Sequence, residues 1–145
     1  MSYLLDTNVC VALINGLDPY ARIRDSSTVV RERYIQEMIA GAQFSISSIV
    51  IHELWYGVTK SLRVAANAQR LSEFLASDFV LLEFSTEDAE AAGRIRATLE
   101  RQGQRIGEYD TLIAGQASSR NQLLVTGNTR EFERVEGLKV EDWTK

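Results

Sequence analysis

Asp6, Glu53, Asp110, Asn128 and Glu131 are the residues of this chain whose types and placement could do chemistry together. Asp6 ends the apolar run "YLL". Glu53 follows "FSISSIVIH", Asp110 opens a helical stretch, and Asn128 and Glu131 follow "LLVT". Four separate segments therefore deliver side-chain oxygens near places where strands should end. Carboxylates gathered in this way repel one another and raise each other's pKa unless a cation joins them. Magnesium and manganese are the natural candidates, because both take oxygen ligands and keep positions open for water and phosphate. Such a site suits phosphodiester hydrolysis, in which the cation lowers the pKa of water, orients its attack and screens the phosphate. No serine, cysteine or histidine triad is apparent, and this chemistry needs none.

The elements that position these residues can be read from the pattern. Residues 3–5 form a short buried strand, and Asn8 to Ile14 a helix stopped by Asn15-Gly16. Val30, Tyr34 and Met38, with Ile35 and Ile39, predict a helix over 28–40 that ends at Gly41. "QFSIS" at 43–47 alternates as a strand, after which Ser47 or Ser48 caps a helix through about Tyr56. Leu71, Phe74 and Leu75 stripe another helix, and "FVLLEF" at 79–84 reads as a strand. Ser85 with Asp88 resembles a capping box, and Ala89, Ala92, Ile95 and Leu99 give the next helix its buried face. A helix over 110–119, a strand over 123–126, a short turn at Glu131-Phe132 and a strand near 138–141 complete the chain. This alternation predicts one α/β domain over 1–145, with a central, mostly parallel sheet flanked by helices. Ligand sites in such folds gather outside the carboxyl ends of the strands. Asp6 stands at such an end.

Bulk properties narrow the function. The chain's 145 residues suffice for one core, and no apolar run is long enough to span a membrane. No signal-peptide pattern opens the chain, and the single Cys10 offers neither a disulfide nor a zinc motif, so a cytoplasmic protein is expected. A net charge of −4 argues against holding nucleic acid by diffuse positive charge, but not against a nuclease with a local acidic centre. Arginines are scattered, among them Arg22, Arg24, Arg31, Arg33, Arg94, Arg96, Arg101 and Arg105, and read mainly as solvated helix faces.

Each chemical reading has a plainer one beside it. Asp6 with Thr7 and Asn8 also suits a helix cap. Asp110 also suits a helix N-terminus. Asn128 after Gly127 suits a tight turn, and Glu131 could only cap the short turn. Glu53 has apolar neighbours in Ile49, Val50, Leu54 and Val58, where a carboxylate wants a partner. Glu108 reads as an exposed loop charge. His52 should face away from Glu53, since adjacent helical residues point about 100° apart. Cys10 reads as a small core residue. Trp55 and Tyr56 could stack on bases, though packing on the next helix or between subunits is the expectation.

Taken in order, "LLDTNV", "SSIVIHELWYG", "EYDTLIAGQA" and "LLVTGNTREFERV" resemble the motifs of PIN-domain proteins, most closely the VapC toxins of bacterial toxin–antitoxin pairs. The resemblance spans nearly the whole chain. It implies an Mg²⁺- or Mn²⁺-dependent endoribonuclease acting on transfer RNA or other structured RNA. Asp6, Glu53 and Asp110 would form the acidic core, with Thr7, Asn8 and Thr126 supporting it. A homodimer and a small VapB-type antitoxin that occludes the site are implied as well. Many relatives carry aspartate where this chain has Asn128, which weakens the case for a second firmly held metal unless Glu131 supplies the charge. Two other classes compete. A metal-dependent phosphatase would want a second aspartate where Asn8 stands, and a PIN-like module could bind RNA or protein without cutting.

Overall fold

The computed structural model describes residues 1–16 and 25–145. Arg22 and Arg24 lie outside the described residues. Five strands, β1 (Ser2–Leu5), β2 (Gln43–Ser47), β3 (Val80–Leu82), β4 (Leu123–Val125) and β5 (Val140–Glu141), form one sheet in the order β3-β2-β1-β4-β5. All four pairings are parallel. The helices flanking it are α1 (Thr7–Asn15), α2 (Asp25–Ile39), α3 (Ser48–Lys60), α4 (Val64–Leu75), α5 (Thr86–Arg101), α6 (Glu108–Ser119) and α7 (Thr129–Phe132).

A central parallel strand is covered on both faces and reads as a continuous apolar run. β1 behaves so: Tyr3, Leu4 and Leu5 are all buried. The edge strands are short, and Val80 and Leu81 on β3 are exposed. "FVLLEF" therefore contributes three ladder residues rather than six. An aromatic group beside the sheet closes one end of the core: Tyr3 stacks on Phe44, and Trp143 meets Tyr3 edge-on with centroids 5.2 Å apart.

The helix expected over 28–40 spans Asp25–Ile39, but only part of its stripe is covered. Val30 is buried, whereas Ile35, Met38 and Ile39 are exposed. The capping box is present: Ser85 and Asp88 exchange hydrogen bonds at the start of α5. On that helix Ala92 and Leu99 are buried and Ile95 is half-buried, but Ala89 is exposed, contrary to the predicted face. The reason lies in where α6 crosses. A Cβ on Gly115 would sit 2.6 Å from the Ala92 backbone, so the two helices touch main chain to main chain there, one turn beyond Ala89. Below that crossing Arg120 reaches the buried Asp88 at 3.0 Å, and Ser119 also donates to it. Burial alone would raise the Asp88 pKa, but Arg120, Ser119 and Ser85 outweigh it and hold it below the ordinary value.

Strand order decides where the site lies. The chain runs from β1 outward through β2 and β3, then returns to the other side of β1 for β4 and β5. The order thus reverses between β1 and β4, and a crevice opens there at the strands' carboxyl ends. Leu5 is in register with Val125, so the next residues, Asp6 and Thr126, leave the sheet side by side.

Candidate active site

Asp6 leaves β1 buried and caps α1. Its Oδ1 accepts from the Thr7 backbone amide at 2.8 Å, and its Oδ2 accepts from the Thr126 hydroxyl at 2.6 Å. The Asn8 amide approaches the same Oδ2 at 3.4 Å, while Asn8 Oδ1 accepts from the Gly127 amide at 3.0 Å. Cap and cluster member are therefore one residue in two roles, since a carboxylate offers about four lone-pair sites. Burial pushes the Asp6 pKa up, and the bonds from Thr126, Thr7 and Asn8 oppose the shift.

Thr126 extends the chain of bonds. Its Oγ1 accepts from the Asn128 backbone amide at 3.0 Å, and the Asn128 side-chain amide donates to Asp110 Oδ2 at 3.2 Å. Asp110 sits in the first turn of α6, which begins at Glu108, two residues before the expected start. Glu108 is thus helical rather than in a loop, and is exposed as expected. Asp110 is pushed up to about 7, first by burial and then by the charge of Asp6, a hydrogen bond and charge from Glu131, and the charge of Glu53. Glu131, on the one-turn α7, is thus near enough to act on Asp110.

Glu53 lies in the second turn of α3, whose N-cap Ser47 accepts from the Ile49 amide at 3.0 Å. Burial raises its pKa, Asp6 raises it further, and Thr7 and His52 favour the ionised form. The pull of Thr7 comes without a full hydrogen bond, because its buried Oγ1 has no partner. Beside this pair Glu53 and Thr7 line a cavity of about 220 Å³ with Leu54, Val58 and Leu71.

All five residues named for chemistry thus converge, and Thr7, Asn8 and Thr126 support them. Among the described residues, no three acidic, histidine or cysteine side chains are placed so that together they could hold a metal ion. The donor set nevertheless fits a hard divalent cation. Asp6 raises the pKa of both Glu53 and Asp110, and Glu53 raises that of Asp110, a repulsion that positive charge relieves. The unpartnered Thr7 hydroxyl is a further oxygen donor at the same place. Mg²⁺ commonly takes only one or two protein carboxylates and fills its shell with water and phosphate, so an open set suits it.

Cys10 is fully buried, and burial raises its thiol pKa, as for a core residue. Trp55 and Tyr56 are exposed rather than packed on the next helix, at 38% and 61%. α3 runs on to Lys60, whose ammonium lies over the Tyr56 ring at 5.4 Å. The His52 ring meets that of Tyr109 at a centroid distance of 5.5 Å. Sequence reading passed over Tyr109; its place directly before Asp110 was the available signal.

With a parallel sheet, a switch-point crevice and an acidic cluster established, comparison with known proteins is decisive. Residues 3–138 match the PIN domain model, and the chain belongs to that family. Within it, the chain groups with the VapC ribonucleases. It is 38% identical over 143 residues to the tRNA(fMet)-specific endonuclease VapC of Salmonella typhimurium, covering 99% of this chain and 98% of that one. It is also 38% identical to ribonuclease VapC2 of Rickettsia felis, with full coverage of both chains. Among solved structures, VapBC2 of Rickettsia felis bound to a promoter DNA fragment superposes with a TM-score of 0.83 at 36% identity, covering 99% of each chain. DNA-bound VapBC of Salmonella typhimurium gives 0.81 at 38% identity, covering 99% of this chain and 98% of that one.

Proposed function

We propose that this chain is the endoribonuclease toxin of a VapBC-type pair, hydrolysing RNA phosphodiester bonds at the acidic cluster with Mg²⁺ or Mn²⁺. The observation that carries the reading is the bonded series Asp6–Thr126–Asn128–Asp110, which ties two carboxylates from distant segments into one crevice. Asp6, Glu53 and Asp110 would hold the ion. When bound, it supplies positive charge for the phosphate and lowers the pKa of water at the site.

The chain's own groups do the positioning. Thr126 and the Thr7 amide fix both oxygens of Asp6, leaving its remaining lone pairs facing the crevice. Asn128 orients Asp110 while adding no charge of its own, and Glu131 brings a fourth carboxylate whose charge acts on Asp110. Asn128 in place of an acid favours one firmly held ion, with any second completed by substrate phosphate.

The name of the Salmonella typhimurium relative points to transfer RNA as the substrate class, and the VapBC complexes point to a VapB-type antitoxin as partner. A homodimer and a cytoplasmic location complete the reading. Among the described residues no helix is long and apolar enough to cross a membrane. The test is cleavage of a cellular RNA pool by antitoxin-free protein in Mg²⁺, Mn²⁺ or EDTA. Discrete cuts lost in EDTA and in Asp6→Asn and Asp110→Asn support the reading. Cuts that persist in the variants remove it, and metal binding without cleavage of intact structured RNA points to a binding module instead.

A further inference from the structure

We infer that His52 and Tyr109 form a base-stacking platform at the rim of the acidic cluster, holding a nucleobase next to the phosphate that is cut. This rests on the ribonuclease reading and adds a positioning contact to it.

The two rings come from different helices, His52 from α3 and Tyr109 from α6, yet their centroids lie 5.5 Å apart at an interplanar angle of 48°. Each directly precedes a carboxylate of the cluster: His52 precedes Glu53, and Tyr109 precedes Asp110. Successive helical side chains diverge by about 100°, so the rings flank the cluster while the carboxylates enter it. Both are exposed, Tyr109 at 49%, so a ring face remains available to a ligand. An aromatic pair of this kind beside a phosphate-handling centre is placed to meet a base of the same strand.

Charge favours the contact. The chain carries a net −4, and several arginines that could attract RNA are already occupied. Arg94 pairs with Glu90, Arg96 with Glu100, Arg33 with Glu37 and Glu141, and Arg120 with Asp88. Binding that draws little on diffuse positive charge gains from contacts to the bases. Stacking on an aromatic face is the sequence-tolerant form of such contact.

The test uses a fluorescein-labelled 12-nucleotide single-stranded RNA and its fully abasic counterpart, titrated by anisotropy in Mg²⁺ against non-cleaving Asp6→Asn protein. Adding Tyr109→Ala should weaken binding to the base-bearing RNA about tenfold, whereas Tyr109→Phe should stay within about twofold. His52→Ala should weaken it by a smaller factor. On the abasic probe, all four proteins should bind alike. In otherwise unmodified protein, Tyr109→Ala should raise KM with little change in kcat. The platform is overturned if Tyr109→Ala binds the base-bearing RNA as tightly as its parent, or weakens both probes equally. It is also overturned if the change alters only the oligomeric state, which would assign the rings to a second copy. Cleavage by the unmodified protein with no effect of Tyr109 removes the platform and leaves the nuclease. Tyr109-dependent, base-dependent binding without cleavage does the reverse.

Discussion

The Thr126 hydroxyl donates to Asp6 Oδ2 across 2.6 Å, joining residues 120 positions apart at the ends of adjacent parallel strands. The same oxygen accepts from the Asn128 amide, so one buried hydroxyl fixes both the first carboxylate and the loop that orients Asp110. Thr126→Val keeps the shape but leaves Asp6 and the Asn128 amide short of a partner, at a cost of about 1–3 kcal/mol. Chemical denaturation should show that loss, and RNA cleavage should fall at least tenfold by about the same reasoning. Thr126→Ser should retain most of both.

Asp110 predicts an unusual response to pH in metal-free protein. Its pKa rises on folding from 3.8 to about 7, so between those values the folded state holds a proton that the unfolded state has lost. Stability should therefore fall as pH rises from about 4 to 7. In EDTA at pH 8, Asp110→Asn should be more stable than the parent by about 1–2 kcal/mol, after allowing for solvent screening, and should be inactive. Urea midpoints measured from pH 4 to 8 would check the slope and its loss in the variant.

Positive charge should relieve the same repulsion. Mn²⁺ should raise the Tm of the parent, with little effect on Asp6→Asn, because the buried Asp6 is central to the cluster. Asn128→Asp adds a carboxylate beside Asp110. It should lower the Tm in EDTA while tightening Mn²⁺ binding, both readable in one calorimetric titration series.

Gly115 tests the packing that carries Asp110. A Cβ there would lie 2.6 Å from the backbone of Ala92, so Gly115→Ala must push α6 away from α5. Despite its better helix propensity, the variant should lose about 1–3 kcal/mol, seen as a lower urea midpoint. Because Asp110 rides on the same helix, cleavage should fall as well, even where the protein remains folded.

The sequence by itself determined the alternation of strands and helices, the buried central strand, the Ser85–Asp88 cap and the acidic residues standing at strand and helix ends. These are local facts: apolar runs, helical spacing and capping chemistry depend on residues a few positions apart. Its failures are of one kind. Ala89 follows the apolar spacing of α5 yet is exposed, because burial depends on where α6 crosses at Gly115. The Ser85–Asp88 cap gave no hint of Arg120, which binds Asp88 from 32 positions away. Whether Glu131 would act in the cluster or only cap a turn was open until the fold brought its charge to bear on Asp110, and His52 had no visible partner until α3 and α6 met. Only the tertiary structure decided these, because they turn on distances between elements. Strand order and the angle at which helices cross set those distances, and neither is written in any single stretch of chain.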